Sequence, residues 1–115
     1  MRIGIDFDGT ITRFPEQLKV IAENIMNNGN NVVTIVTAAA GELAPCDRPA
    51  EVVKRLSRIG WVSGVHYWDI KCVEGHEKGR CCADLKLDAI IDDSPEYLEF
   101  VRRDSPSTLR LLLLP

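Results

Sequence analysis

The chain has 115 residues, which is enough for one domain spanning residues 1–115 and leaves no room for a second. Its hydrophobic fraction of 45% and charged fraction of 27% are ordinary for a folded domain and argue against wholesale disorder. With 14 basic and 17 acidic residues the net charge is −3, so we expect no basic surface for nucleic-acid phosphates.

The apolar runs of the sequence indicate the compartment, and the compartment indicates the state of the cysteines. No run approaches the roughly 20 residues that a membrane helix needs. Asp6 comes too early for the sequence before it to be a signal peptide. We therefore expect a cytoplasmic protein without a membrane partner, whose cysteines are free thiols: Cys46, Cys72, Cys81 and Cys82.

The first half of the chain alternates strand and helix patterns. A strand is predicted over residues 2–7, followed by a helix over 15–28 whose apolar residues recur at helical spacing. Asn28 and Gly29 are typical of a helix end. A β-branched strand over 31–36 precedes a loop of small residues at 38–46, and a second helix over 49–59 ends before Gly60.

The second half continues the alternation. Strands are predicted over residues 64–70, 87–91 and 108–114, and a short helix over 76–85. Ser94 can cap a fourth helix with Pro95 in its first turn, and this helix stops before Pro106. Five strands alternating with four helices predict an α/β fold with a parallel sheet, in which ligands bind beyond the carboxyl ends of the strands.

Acidic and hydroxyl side chains follow three of the predicted strands. Asp6 and Asp8 come after the first strand, Thr37 after the second, and Asp92 with Asp93 after the fourth. These strand ends converge in a parallel sheet, where several carboxylates repel one another unless a cation neutralises them. Oxygen ligands of this kind suit Mg²⁺, which commonly binds a few carboxylates together with a substrate phosphate.

The first of these segments also suits phosphoryl transfer. Gly9 permits a sharp turn directly after the strand, so one of Asp6 and Asp8 can face a substrate as nucleophile while the other acts as acid and base. A carboxylate nucleophile can split phosphoryl transfer into two steps through an aspartyl-phosphate.

With these features the chain resembles the haloacid dehalogenase (HAD) superfamily of phosphohydrolases. The resemblance lies in the segment Asp6-Phe7-Asp8-Gly9-Thr10-Ile11-Thr12 and in residues 33–38 and 90–97, and its order and spacing extend from Arg2 to about Val101. It implies a Rossmann-like three-layer α/β/α sandwich around a five-stranded parallel sheet, and a Mg²⁺-dependent phosphatase.

The resemblance also implies roles for individual residues. Asp6 is expected to be the nucleophile and a Mg²⁺ ligand. Asp8 would protonate the leaving group, activate water and give the metal its backbone carbonyl. Thr37 and the Ala38 amide would hold the phosphoryl oxygens, while Asp92 binds the metal with Asp93 in support.

Members of the superfamily also have a lysine that restrains the nucleophile and the phosphate. Lys78 begins the predicted helix before the fourth strand and is our first choice. Lys86, just before that strand, is the rival, and Lys71 at the end of the third strand is a more distant one. A cation near the carboxylates would ease their mutual repulsion.

Two other functions stay open. A binding module on the same fold would hold Mg²⁺ or phosphate without turnover. A receiver domain would carry its phosphorylated aspartate after the third strand, near Asp69. A zinc site is also conceivable at Cys72, His76, Cys81 and Cys82, but this spacing fits no standard finger and the helical cysteines are expected to face the core.

The substrate is constrained by what the chain lacks. The intervals from Asp8 to Thr37 and from Thr37 to Lys78 are filled by predicted elements, so neither holds the cap domain of larger HAD members. An uncapped site predicts either a bulky phosphoester or a homo-oligomer that covers the opening. Specificity would then come from the loops around Arg13 and at residues 38–46, or from a partner.

Overall fold

Five parallel strands form one sheet in the computed structural model, which describes residues 1–38 and 48–114. The strands lie in the order β3-β2-β1-β4-β5. Their bounds are Arg2–Ile5 (β1), Val32–Ala38 (β2), Asp69–Val73 (β3), Ala89–Asp92 (β4) and Leu109–Leu112 (β5). The helices are Pro15–Met26 (α1), Arg48–Arg58 (α2), Lys78–Asp84 (α3) and Pro95–Asp104 (α4). The predicted α/β fold with a five-stranded parallel sheet is thereby confirmed.

Helices cover both faces of the sheet because the strands are apolar on both sides. On one face, strand residues such as Ile5 and Ile35 pack with Leu18 of α1 and Leu56 of α2, forming the α1–α2 core. On the other face, residues of β2 and β4 pack against α3 and α4 in the α3–α4 core: Val36, Ile90, Cys82, Leu98 and Val101.

The strand order changes direction at β1. Ile5 is in register with Ile35 of β2 on one side and with Ile91 of β4 on the other. The chain first builds outward from β1 through β2 to β3, then crosses back to add β4 and β5 on the other side. A crevice opens at the carboxyl ends of the strands where such a reversal occurs, and it is the usual ligand site in open α/β sheets.

The third strand was predicted too early in the chain. It begins at Asp69, whereas the apolar run 64–70 forms mostly a turn in which Gly64 has a positive φ of 84°. Within this turn the Gly64 amide donates to the Tyr67 carbonyl, and the Val62 amide donates to Nδ1 of His66. Of the aromatic residues in and beside this run, Trp61 and Tyr67 are buried, whereas Trp68 is exposed.

The fourth helix and the cysteines agree with the predictions. Oγ of Ser94 accepts the Tyr97 amide at 3.2 Å, which confirms the cap. Cys72, Cys81 and Cys82 are free thiols, while Cys46 and most of the predicted loop at 38–46 lie outside the described residues. Within residues 1–38 and 48–114, no helix has both the length and the apolar character needed to cross a membrane.

Candidate active site

The register of β1 and β4 brings Asp6 and Asp92 together. Asp6 directly follows β1, and its amide donates to the Ile91 carbonyl at 2.9 Å. Asp92 is the last residue of β4. Both side chains are buried at the carboxyl edge of the sheet, although ionised carboxylates are rarely buried without a partner.

Lys78 is that partner. Its side chain is fully buried, and its Nζ lies 2.8 Å from Oδ1 of Asp6 and 2.6 Å from Oδ2 of Asp92. The lysine is the first residue of α3, and α3 can lie this close to α4 because the next residue is Gly79. A Cβ at Gly79 would overlap the backbone carbonyl of Phe100 in α4.

The two rival lysines lie elsewhere. Lys86 is exposed in the turn after α3, with a φ of 53°. Lys71 is in the middle of β3, where its Nζ pairs with the Asp69 carboxylate at 3.3 Å. Of the three candidates, Lys78 is the one in contact with the buried carboxylates.

Burial dominates the electrostatics of this group. It raises the pKa of Asp6 to about 7, with Lys78 acting in the opposite direction and the Asp92 carboxylate adding to the increase. Burial also raises the pKa of Asp92 against the effect of Lys78. For Lys78 itself, burial opposes the charged form, but the two carboxylates outweigh burial and raise the pKa of the ammonium.

A third carboxylate completes a candidate metal site. Asp6, Asp92 and Asp93 each offer one oxygen, and these oxygens lie within 4.8 Å of one another. Three ionised carboxylates and the single ammonium of Lys78 leave two negative charges, which a divalent cation would balance. An all-oxygen donor set of this size suits Mg²⁺, which keeps some of its waters. The residues present therefore fit the predicted ion.

The turn after β1 holds the third carboxylate in place. Gly9 has a φ of 79°, and a Cβ there would overlap the Asp93 carboxylate. Oγ1 of Thr10 lies 3.2 Å from Oδ2 of Asp6 and 3.4 Å from Oδ1 of Asp93, so this hydroxyl bridges the two segments. The turn thus requires a residue without a side chain at position 9.

The cysteines and His76 form no comparable cluster. Across the residues that the structure describes, the three aspartates are the one group of at least three His, Cys, Asp or Glu side chains close enough to share an ion. Cys82 packs in the α3–α4 core, and burial raises the pKa of its thiol to about 12. Because a thiolate is the form that binds zinc, this environment disfavours zinc at Cys82.

Asp8 has a different environment from Asp6. Its side chain is 42% exposed and its carboxylate forms ion pairs with Arg48 and Arg55 of α2, the second at 3.4 Å. Arg48 is almost completely buried and also pairs with Glu51. Both guanidinium groups lie over the Phe7 ring, at 5.9 and 4.8 Å from its centroid. The two arginines were missed by the sequence analysis.

A cleft of about 320 Å³ opens over these groups. Five of its lining residues were predicted as site residues, Ser94 was predicted as a helix cap, and Glu96 and Tyr97 were not predicted. The full lining consists of Asp6, Asp8, Thr37, Ala38, Asp93, Ser94, Glu96 and Tyr97. The Thr37 hydroxyl is buried without a hydrogen-bond partner among the described residues. A buried polar group without a partner is costly, so an unpaired hydroxyl in a cleft suits a ligand oxygen. Arg13 lies apart from this lining, stacked on Phe14.

Tyr97 is the residue beside Lys78 that the sequence analysis did not identify. The ring centroid lies 4.7 Å from the Lys78 Nζ, a cation–π distance. The ring also packs on Gly75, where a Cβ would overlap it. The signal that could have found Tyr97 is its position three residues after the Ser94 cap, which places it on the first turn of a helix that starts at the site.

No family model matches the chain, and no curated protein matches it. The structure nevertheless brings together predicted residues that are far apart in sequence. Asp6, Lys78 and Asp92 are in direct contact, and Asp8, Thr37 and Ala38 line the cleft above them. The function is therefore inferred from the geometry of this cleft.

Proposed function

We propose that the protein is a Mg²⁺-dependent phosphohydrolase of the HAD type, with a Rossmann-like fold, that cleaves phosphomonoesters through an aspartyl-phosphate at Asp6. The observation that carries this proposal is the buried contact of Lys78 with both Asp6 and Asp92 at the ends of the two central strands. Asp6 as nucleophile and Asp93 as a metal-binding group line one cleft, and the buried Lys78 ammonium contacts Asp6 from within the protein, an arrangement that suits phosphoryl transfer.

The first chemical step uses both aspartates of the turn after β1. A carboxylate oxygen of Asp6 attacks phosphorus, and the bond from phosphorus to the substrate's alcohol oxygen breaks. Protonated Asp8 gives its proton to that oxygen, so the alcohol leaves neutral. Asp6 must be ionised to attack, and the Lys78 ammonium favours that form.

The second step restores the enzyme. Asp8, now ionised, accepts a proton from a water molecule whose oxygen attacks phosphorus of the aspartyl-phosphate. The bond from phosphorus to the Asp6 oxygen breaks and inorganic phosphate leaves. One water is consumed for each ester cleaved, and Asp8 ends protonated, as it began, with a proton taken from that water.

The other lining groups hold the phosphoryl group. The unpartnered Thr37 hydroxyl can donate to a phosphoryl oxygen, and the Ala38 amide can do the same. The Lys78 ammonium lies within the same buried group and offsets part of the charge of the phosphate. When bound by Asp6, Asp92, Asp93 and the Asp8 carbonyl, Mg²⁺ would neutralise charge that develops on the phosphoryl oxygens.

A second candidate function is a module that binds Mg²⁺ or phosphate without turnover. The ion pairs of Asp8 with Arg48 and Arg55 favour it, because they occupy the carboxylate that the first step needs for proton transfer. The receiver-domain alternative has less support. Asp69 is the first residue of β3 and pairs in register with Thr34, three positions before Thr37, so it stands away from the carboxyl edge.

Phosphate release from a panel of phosphomonoesters tests the proposal. We expect Mg²⁺-dependent hydrolysis that is abolished by a chelator and by Asp6→Asn, which keeps the shape of the side chain and removes its charge. Asp69→Asn is the matched control and should leave the rate unchanged. Hydrolysis that survives both the chelator and Asp6→Asn would refute the mechanism, while Mg²⁺-induced stabilisation without turnover would favour the binding module.

Two predictions from the sequence concern what covers the open cleft during the reaction. Either the substrate is bulky enough to close the opening, or a second copy of the chain covers it. Sedimentation of the active protein shows whether a second copy is present and so distinguishes the two predictions. An active monomer with high efficiency on small phosphoesters would contradict both.

A further inference from the structure

The charges that line the cleft are all acidic. Asp6, Asp8, Asp93 and Glu96 contribute carboxylates, and none of the eight lining residues is basic. A substrate therefore meets a negative field at this opening beyond the group that receives its phosphate.

Most of these carboxylates are balanced by groups around them. Lys78 and a divalent cation offset Asp6 and Asp93 together with the buried Asp92. Arg48 and Arg55 offset Asp8. Their charges are thus already committed to the protein itself or to the metal.

Glu96 differs from the other lining carboxylates. It is the second residue of α4 and is exposed, and it forms no ion pair with the described part of the chain. Asp6 and Glu96 line the same cleft, Asp6 as a buried residue and Glu96 as an exposed one. The alcohol portion of a phosphomonoester bound at Asp6 would therefore share this cleft with the Glu96 carboxylate.

From this arrangement we infer that Glu96 selects the substrate by charge. The preferred substrates are phosphomonoesters whose alcohol portion carries an amine and no second anionic group. This inference rests on the proposed function of the same cleft. A carboxylate without a partner attracts an ammonium and repels a carboxylate or a second phosphate, and part of that difference survives solvent screening.

Three substrates isolate the effect because each carries a different terminal group on the same ethyl ester: 2-aminoethyl phosphate (ammonium), propyl phosphate (methyl) and 2-carboxyethyl phosphate (carboxylate). We expect kcat/KM to decrease in that order. Glu96→Gln should reduce the ratio of the aminoethyl to the carboxyethyl substrate by about threefold to tenfold, the range expected when an exposed charge interaction is lost from both substrates. Because each ratio is compared between enzymes, intrinsic differences in leaving-group reactivity cancel.

Glu99→Gln is the matched control. Glu99 is on the same helix and is also exposed, but it pairs with Arg102 at 2.9 Å and is not part of the cleft lining. Removing the charge of Glu99 should leave the ratio of the aminoethyl to the carboxyethyl substrate unchanged. Added salt should reduce this ratio in the wild-type enzyme because it screens the Glu96 charge. An unchanged ratio in Glu96→Gln, or a wild-type preference for the carboxyethyl substrate, would overturn the inference.

Binding measured without turnover separates this inference from the proposed reaction. Asp6→Asn protein is titrated calorimetrically with the three phosphates in the presence of Mg²⁺, with and without Glu96→Gln. Tighter binding of the aminoethyl compound that depends on Glu96 would support charge selection even if the wild-type protein hydrolyses nothing. Equal binding of all three, or no binding, would refute it whatever the outcome of the activity assay.

Discussion

Replacing Lys78 with methionine removes the ammonium that contacts the buried carboxylates and approximately keeps the side-chain volume. The ammonium makes two ion pairs, at 2.8 and 2.6 Å, and has no exposed surface. Removing one partner from a buried ion pair costs about 3–5 kcal/mol, because the remaining charge is left without compensation. With about 4 °C lost per kcal/mol for a domain of this size, the melting temperature should fall by about 12–20 °C.

The loss should depend on pH with a defined sign. The pKa of Asp6 is about 7 in the folded state, whereas the ordinary pKa of an exposed aspartate is 3.8. Between these values the folded state binds more protons, so the stability of the metal-free protein rises as the pH falls from above 7 towards 4. Without Lys78 the carboxylates hold their protons more strongly, so the penalty of the substitution should be largest at pH 8 and smallest near pH 5.

Urea denaturation in the presence of a chelator, at several pH values between 5 and 8, measures both effects. Lys71→Met is the matched control, since Lys71 is partly exposed on β3 and pairs only with Asp69 among the described residues. It should change the stability by less than about 1 kcal/mol, as is usual for an exposed ion pair. A loss below about 1 kcal/mol in Lys78→Met, or a loss independent of pH, would refute the assignment of Lys78 as the compensating cation.

Two further predictions concern Gly9 and His66. Gly9→Ala forces a side chain into a left-handed turn and against Asp93, so the stabilisation that Mg²⁺ gives in thermal unfolding should be lost. Gly29→Ala is the control: it is also at positive φ but in open space, and it should keep this stabilisation. Burial lowers the pKa of His66, whose Nδ1 accepts the Val62 amide, so wild type should lose stability relative to His66→Asn as the pH falls through 6.5. A constant difference in urea midpoint between pH 7.5 and 5.5 would contradict the second prediction.

The strand ends were predictable because two simple patterns agree there. Short apolar runs mark β1, β2 and β4, and each run stops at a polar residue: Asp6, Thr37 and Asp92. Parallel pairing then requires these ends to meet at one edge of the sheet. Nothing about side-chain rotamers was needed to expect that Asp6 and Asp92 lie together.

The environment of Asp8 was not predictable in the same way. Arg48 and Arg55 reach Asp8 only because α2 lies over the turn after β1, with the Phe7 ring beneath both guanidinium groups. Helical spacing places these two residues on one side of α2, but it does not say which part of the sheet that side faces. The predicted position of the third strand was wrong for a related reason. Trp61 and Tyr67 are buried by a turn, and apolar patterning cannot distinguish such a turn from a strand.

The choice of lysine shows what tertiary packing adds. The sequence favours Lys78 and leaves Lys86 as its rival, because each precedes β4 and either could reach its carboxyl end. The glycine after Lys78 decides between them: it lets α3 approach the backbone of α4, which buries the lysine against Asp6 and Asp92. Burying carboxylates with one ammonium costs free energy of folding, and apolar residues of similar size would fill the same space at a lower free-energy cost. When all three carboxylates are ionised, two negative charges are left in excess at the carboxyl edge of the sheet, and this excess is the reason why we propose a cationic ligand there.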